Sequence, residues 1–316
     1  MNNSIDNKMD KIDILCVGEV LVDFIGHQEG VLINETRDYH RYLGGSPTNV
    51  AMNSTRLGLN TIMVATVGND GFGTYIAERL GDVGVNTDHL NILEDKSTSV
   101  IFVSRSDGTP DFIPYRSADC CIYEEQISSE TLANTTIFHT TCFALSKNPA
   151  QKTILKKAQE AYNLGCKLSI DVNYARKLWK SQKKAFKVIK TYCQFNPLIK
   201  ISEDDMLRLF EKELPHEEIF QFFHDQGADT VCLTLGSKGV KLSQKGEKVI
   251  EMPAIKIDKV MDTTGAGDAF WSGFLFAYIK EKSIQECLDI ALKLAALKLQ
   301  NVGRLPDNIN ILSKLL

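Results

Sequence analysis

Residues 261–274 of this 316-residue chain read MDTTGAGDAFWSGF, and they say more about its architecture than any other segment. Gly265, Ala266 and Gly267 are small enough for a sharp turn whose backbone N–H groups point the same way. A helix predicted to begin near Asp268 adds its own unpaired N–H groups and the positive end of its dipole. The segment is therefore predicted to hold an anion, above all the charge that develops on a phosphoryl group during transfer.

A carboxylate in the first turn of an anion-binding helix is unexpected, because its negative charge repels the bound anion, unless it has a chemical role. For Asp268 the natural role is to accept the proton of an attacking hydroxyl beside that phosphoryl group. A short G-x-G-D string alone is more often a plain capped turn, but the ten-residue length of DTTGAGDAFW favours the catalytic interpretation. The chain contains no Walker A loop, and Phe270 replaces the third glycine of a dinucleotide fingerprint.

Outside this segment, short β-branched runs alternate with amphipathic stretches, the pattern of a parallel sheet covered by helices. Ser46 followed by Pro47 predicts an N-cap and a first helical residue. The predicted strands are Ile12–Val17, Thr61–Val67, Thr136–Thr141, Lys167–Asp171, Leu198–Ser202 and Thr230–Leu235. The predicted helices are Pro47–Leu57, Phe72–Val83, Pro149–Leu164, Gln182–Cys193, Pro215–Gln226 and Asp268–Lys280.

Two segments, residues 24–43 and 98–116, interrupt this alternation and are interpreted as strands without intervening helices, with a hairpin turn at Asp107-Gly108. Since ligands of open α/β sheets bind at the carboxyl ends of the strands, these strands are predicted to form a small β-sheet lid. Another hairpin around Lys245-Gly246 is predicted to extend the edge of the main sheet. We expect a disordered tail at 1–11 followed by one domain at 12–316.

Composition excludes several classes of function. The chain is 43% hydrophobic and 24% charged, with a net charge of −4 and no basic stretch, so a nucleic-acid partner is not expected. The polar start MNNSIDNKMD and the absence of a long apolar run predict a cytoplasmic protein without a membrane span. The eight cysteines include no C-x-x-C pair and are interpreted as buried free thiols.

DTTGAGDAF resembles the carboxyl-terminal signature of the ribokinase-like (PfkB) carbohydrate kinases, and GGSPTNVAMNSTRLG at 44–58 resembles their amino-terminal signature. The likeness extends from about Ile12 to Pro306. It implies a three-layer α/β/α core with a mostly parallel sheet plus the lid. It also implies transfer of the γ-phosphoryl group of Mg-ATP to a sugar hydroxyl, and a homodimer that pairs through the lids.

The resemblance further assigns roles to individual residues. Asp268 is the implied base, and the four backbone amides of Gly265, Ala266, Gly267 and Asp268 form the implied anion hole. Implied substrate contacts are Asp23, Gly44, Gly45, Asn49, Arg116, Asp171 and Arg176. Implied nucleotide contacts are Lys200, Thr234, Gly236, Gly239 and Asn301. Glu203 is the implied Mg²⁺ residue, usually through water, and Asp262 and Thr264 would hold a monovalent cation such as K⁺. In DVNYARKLW, Arg176 stands one residue later than in the family pattern.

Several alternatives concern the acceptor. YRSADCCI and IFHTTCFAL resemble fructokinases, which favours fructose and its conversion to fructose 6-phosphate, with His139 interpreted as a core histidine. DVNYARKLW also resembles 2-keto-3-deoxygluconate kinases, for which Arg105, Arg116 or Arg176 would pair with the substrate carboxylate. A phosphofructokinase would need further cationic groups. A different class, a catalytically inactive sugar-sensing protein, would be expected to lose the base or the glycine loop, and both are intact.

Overall fold

The computed structural model describes residues 10–105, 111–301, 303 and 305. Most of the predicted tail and the predicted turn at Asp107-Gly108 lie outside these residues. The strands are β1 Ile12–Val17, β2 Leu21–Glu29, β3 Tyr39–Gly44, β4 Thr61–Gly68, β5 Leu90–Leu93, β6 Val100–Arg105, β7 Phe112–Tyr115, β8 Thr135–Thr141, β9 Lys167–Asp171, β10 Leu198–Ser202, β11 Thr230–Thr234, β12 Val240–Gln244 and β13 Ile250–Met252. The α-helices are α1 Ser46–Arg56, α2 Gly71–Val83, α3 Ser129–Ala133, α4 Ala150–Asn163, α5 Gln182–Cys193, α6 Glu203–Phe210, α7 His216–Asp225, α8 Ala266–Ile279 and α9 Ile284–Leu299.

The large sheet has the order β13-β12-β11-β10-β9-β8-β1-β4-β5. Strands from β11 to β5 run parallel, and the hairpin of β12 and β13 adds two antiparallel strands at one edge. The predicted mostly parallel sheet and its edge hairpin are confirmed. Strand β5 and helices α3, α6 and α9 were not predicted.

Both faces of this sheet are buried, which gives the three predicted layers. In β1, Leu15 and Val17 pack into a hydrophobic cluster with α4, α5 and α7. The alternate residues Ile14 and Cys16 pack into a second cluster with α1, α8 and α9. Because strands covered on both sides need no polar face, their sequences are nearly continuous apolar runs. All eight cysteines are buried free thiols, as predicted.

A four-stranded sheet of order β3-β2-β6-β7 lies beyond β1, and we call it the lid. Its strand β2 follows β1 directly, and β3 leads into α1. Phe24 stacks on Phe102 at 5.0 Å between ring centroids and contacts Phe72 of α2 edge-on at 5.6 Å. Since successive side chains of a strand point to opposite faces, Asp23 lies on the other face of the lid from Phe24.

The starts of α1 and α8 differ from the prediction in ways that affect the candidate site. Gly45, with φ of 106°, is the N-cap of α1, so the assignment of Ser46 as N-cap was wrong. A Cβ atom on Gly45 would lie 2.4 Å from the Glu19 carbonyl oxygen, and this close approach fixes the turn. Helix α8 begins at Ala266, two residues before the predicted start. Among the described residues, no helix combines the length and apolarity of a membrane span.

Candidate active site

The anion-binding loop stands at the start of the 14-residue helix α8, with Gly265 as N-cap at φ of 73°. The Ala266 N–H donates to the Thr263 carbonyl at 3.2 Å, so it is not free for a ligand. The N–H groups of Gly265, Gly267 and Asp268 have no acceptor within the part of the chain that the structure describes. Three of the four amides predicted for the anion hole are therefore available at the positive end of the helix.

The Asp268 carboxylate is held at both oxygens. The Ser46 hydroxyl donates to Oδ1 at 2.7 Å, and the Asn49 side-chain amide donates to Oδ2 at 2.7 Å. Burial raises the pKa of Asp268 to about 6, against the opposing effect of the Lys200 ammonium. Asp268 is thus oriented by two donors from α1 and has a pKa suited to proton acceptance near neutral pH.

A buried ion pair lies beneath the loop. Lys200 Nζ is 2.7 Å from Asp171 Oδ2, and the two side chains are 7% and 3% exposed. The same Nζ is 3.1 Å from the position that a Cβ atom on Gly267 would take. Burial alone would lower the pKa of Lys200, but the Asp171 and Asp268 charges raise it, so the ammonium keeps its proton. Lys200, predicted to contact nucleotide, places a positive charge directly under the anion hole.

Glu19 is a buried acidic residue that the sequence analysis did not select. Its Oε1 accepts from the Ser46 N–H at 3.2 Å, and its Oε2 pairs with the Thr141 hydroxyl at 2.7 Å. Burial raises the pKa of Glu19 to about 8, only partly offset by Thr141 and Arg116. The residue fixes the turn that presents Ser46 to Asp268. A charged residue inside the apolar run VGEVLVD was the available signal.

Asp23 of β2 is the predicted sugar-binding carboxylate. It accepts no hydrogen bond from any described residue, and burial, with a smaller contribution from the Asp268 charge, raises its pKa to about 7. A Cβ atom on Gly44 would lie 2.2 Å from Asp23 Oδ2, so glycine is needed there for packing alone. Because the Asp268 charge affects the pKa of Asp23, the two carboxylates are close enough to interact across the space between lid and core. Asp23 also keeps unused acceptor capacity for a ligand hydroxyl.

The predicted arginines are already paired with protein carboxylates. Arg116 Nη2 lies 2.6 Å from Asp119 Oδ2, with side chains 6% and 0% exposed. Arg176 is 61% exposed and lies 3.8 Å from Glu211. The Arg116 guanidinium is thus part of the packed wall, whereas Arg176 is at the surface.

The nucleotide-side residues meet at the carboxyl ends of β10 and β11. Glu203 begins α6, is one-third exposed and lies 3.4 Å from Lys238 Nζ and from His216 Nε2. Lys238 belongs to the turn at 234–239, which contains the predicted Thr234, Gly236 and Gly239. The described residues contain no cluster of three metal-ligating side chains. A single accessible carboxylate fits Mg²⁺ that is held mainly by nucleotide phosphates and water.

The predicted monovalent-cation site already contains a cation of the protein. Lys298 Nζ lies 3.3 Å from Asp262 Oδ2 and 3.1 Å from the Asn301 carbonyl oxygen. Asp262 also accepts from the N–H groups of Thr264 and Gly303, each at 2.9 Å. A K⁺ ion does not fit at this oxygen beside the ammonium. Asn301, predicted to flank the adenine, donates its side-chain amide to the Leu297 carbonyl.

A cavity of about 790 Å³ lies between the lid, the start of α2 and the segment at 97–98. It is lined by Arg41, Asp70, Gly71, Phe72, Ser97, Thr98, Val100, Tyr115, Arg116 and Ser117. Asp268 is not among the described residues that line it. The Arg41 guanidinium stacks on Tyr75 at 3.8 Å and adds positive charge to this cavity.

Known proteins resemble this chain over most of its length. The model of the pfkB family carbohydrate kinases matches residues 11–309. An ATP-dependent 6-phosphofructokinase of Thermoanaerobacterium thermosaccharolyticum is 37% identical over 94% of this chain and 91% of its own. Probable fructokinase-7 of Arabidopsis thaliana is 30% identical over 96% of this chain and 92% of its own.

Two solved structures have the same fold. A fructokinase of Halothermothrix orenii superimposes with a TM-score of 0.79 and 32% identity, covering 90% of this chain and 98% of its own. A sugar kinase of Pyrococcus horikoshii in complex with ATP has a TM-score of 0.82 and 27% identity, covering 96% of this chain and 100% of its own.

Proposed function

Since this chain belongs to the pfkB family of carbohydrate kinases, we propose that it transfers the γ-phosphoryl group of ATP to a sugar hydroxyl with Asp268 as base. The observation that carries this proposal is the Asp268 carboxylate, clamped at both oxygens next to three free N–H groups of one helix start. Unpaired N–H groups occur at any helix start, but here they stand beside a half-buried carboxylate that is held at both oxygens.

In the proposed reaction the sugar hydroxyl oxygen attacks the γ-phosphorus while the bond from phosphorus to the ADP oxygen breaks. The hydroxyl proton passes to Asp268, and the N–H groups of Gly265, Gly267 and Asp268 stabilise the charge on the transferred group. Lys200 beneath the loop adds to that stabilisation. Bound Mg²⁺ would neutralise phosphate charge, with Glu203 as the residue that would hold it through water.

We propose fructose as the acceptor, with phosphorylation at its 6-hydroxyl. Asp23, which has unused acceptor capacity, would bind sugar hydroxyls, and the lid would exclude water from the transfer. The Halothermothrix orenii and Arabidopsis thaliana relatives, which carry the name fructokinase, support this choice.

Fructose 6-phosphate is the second acceptor to test. The Thermoanaerobacterium thermosaccharolyticum relative, which is named an ATP-dependent 6-phosphofructokinase, is 37% identical to this chain, against 30% for probable fructokinase-7 of Arabidopsis thaliana. Arg41 of the lid cavity does not supply the cation for that phosphate, because it is the cross-strand partner of Phe24 and therefore lies on the lid face opposite Asp23. Turnover measured with each sugar in turn decides between the two acceptors.

The geometry gives less support to 2-keto-3-deoxygluconate. Its carboxylate needs an uncommitted cation, and each of the three arginines considered for it has an acidic partner: Arg105 pairs with Glu29, Arg116 with Asp119, and Arg176 with Glu211.

A homodimer paired through the lids and a cytoplasmic location complete the proposal. The lid residues Ile113 and Tyr115 are 40% and 60% exposed, which supports an interface there. Eight free thiols support a reducing compartment. Sedimentation at several concentrations tests the dimer, and a concentration-independent monomer mass contradicts it.

The deciding experiment for the function is an ADP-release assay with fructose, fructose 6-phosphate, 2-keto-3-deoxygluconate, ribose and tagatose. The expected result is rapid, saturable turnover of one sugar, lowered at least about 100-fold in Asp268→Asn. Sugar binding without turnover would instead support the catalytically inactive sensor.

A further inference from the structure

The loop that precedes α8 is attached to the carboxyl-terminal end of α9. The N–H groups of Met261 and Asp262 both contact the Leu299 carbonyl oxygen, at 2.8 and 3.4 Å. The Asp262 carboxylate then accepts from Thr264, one residue before the N-cap Gly265. The conformation of the anion hole therefore depends on how firmly Asp262 is held.

Lys298 is the centre of that attachment. Its side chain is 4% exposed, and its ammonium joins Asp262 Oδ2 to the Asn301 carbonyl oxygen. Its Cε would lie 3.8 Å from a Cβ atom on Gly265. The ammonium thus lies among oxygen acceptors directly behind the turn that exposes the free N–H groups.

We infer that the Lys298 ammonium performs, from within the chain, the loop-ordering role that a bound monovalent cation would perform at Asp262, so that the protein does not depend on K⁺. Lys298 is a positioning residue, since it touches the loop and neither the base nor the acceptor. The inference rests on the proposed function only in taking the loop as the phosphate-binding element.

A plainer role has to be separated from this one. A lysine in the last turn of a helix also stabilises it through the helix dipole and by hydrogen bonding to terminal carbonyls. In that case its removal would destabilise α9 to the same extent in every salt. Recovery by a particular cation distinguishes the two roles, because a free ion can replace the charge at Asp262 and cannot replace a covalently attached helix cap.

The test uses ATP binding by calorimetry in the presence of Mg²⁺, together with thermal unfolding, in KCl and in tetramethylammonium chloride at equal ionic strength. The variants are Lys298→Ala, which leaves room for an ion, and Lys298→Met, which refills the space without charge. Lys293→Ala is the matched control, because Lys293 lies on α9 in an exposed pair with Asp289.

The wild type and Lys293→Ala should bind ATP equally in both salts. Lys298→Ala should bind about 10-fold more weakly in tetramethylammonium, the effect of losing hydrogen bonds to a charged group, and recover in KCl to within about 3-fold. Its unfolding temperature should rise with K⁺ in parallel, whereas Lys298→Met should recover in neither measurement.

The inference is overturned if the wild type loses more than about 5-fold in ATP affinity without K⁺. It is also overturned if Lys298→Ala binds ATP like the wild type in both salts, or if Lys298→Ala is impaired to the same extent in both salts. If Lys298→Ala does not fold, Lys298→Arg decides instead: salt-independent binding supports the inference and K⁺-dependent binding refutes it. Neither readout requires turnover, so failure of the sugar assay would count against the proposed function alone.

Discussion

Replacement of Asp268 by asparagine removes the proposed base while changing little else. The side chain keeps its size, and its carbonyl oxygen can still accept from the Ser46 hydroxyl that now lies 2.7 Å from Oδ1. Its new amide group faces the Asn49 amide, which can rotate to present its own oxygen. Since Asp23 and Asp171 lose a like-charged neighbour, we expect the free energy of unfolding to stay within about 1 kcal/mol of the wild type.

The expected loss of turnover follows from the role. Proton abstraction by a positioned carboxylate contributes about 10²- to 10⁴-fold, so kcat should fall by at least about 100-fold, or roughly 2.7 kcal/mol in activation free energy. Fructose and ATP affinities should change little, because Asp23, the free N–H groups and Lys200 remain.

The pH profile provides an independent check. A base must be deprotonated to act, so wild-type kcat/KM should fall as pH drops through about 6, the raised pKa of Asp268. The remaining activity of the asparagine variant should lack this limb. ADP release across pH 5–8 measures both effects, with Asp258→Asn, at an exposed aspartate, as control. An Asp268→Asn protein that keeps more than about a tenth of the wild-type kcat would refute the assignment of the base.

Three further substitutions test the surrounding residues. Because the folded-state pKa of Glu19, about 8, lies above its ordinary 4.5, Glu19 should make wild-type stability decline between those pH values by up to about 1.4 kcal/mol per pH unit. The raised pKa values of Asp23 and Asp268 add declines of their own, so Glu19→Gln should make the total decline shallower, above all between pH 7 and 8. Free energies of unfolding in urea that change with pH identically in both proteins would contradict the raised pKa of Glu19. Lys200→Met leaves Asp171 buried without its partner and should cost about 3–5 kcal/mol in denaturant unfolding, whereas a loss below about 1 kcal/mol would contradict the buried ion pair. Gly44→Ala forces the Asp23 carboxylate to move and should raise KM for the sugar about 10-fold in steady-state assays. An unchanged KM in a correctly folded variant would contradict the proposed role of Asp23.

Much of the fold was predictable because it follows from local patterns. The bounds of β1, β9, β10 and α5 match their predictions, since β-branched runs and helix periodicity are properties of neighbouring residues. The glycine loop at 265–267 and the acid that follows it were identified in the same way.

The partners of those residues could not be predicted. Ser46 was interpreted as a helix cap, but its hydroxyl contacts Asp268, 222 positions away in the chain. Lys298 fills the predicted cation site at Asp262 from a helix that the pattern did not reveal. Spacing along the chain does not show which side chains from distant helices and loops come into contact in the folded protein.

The sequence by itself determined the glycine turn at 265–267, the acid in the helix turn that follows it and the layered sheet, because backbone preference and glycine geometry act over a few residues. Only the tertiary structure decided that Ser46 and Asn49 hold the Asp268 carboxylate, that Lys200 lies under the glycine turn and that Lys298 lies beside Asp262. Those properties depend on contacts between distant segments, and such contacts exist only once the core has packed.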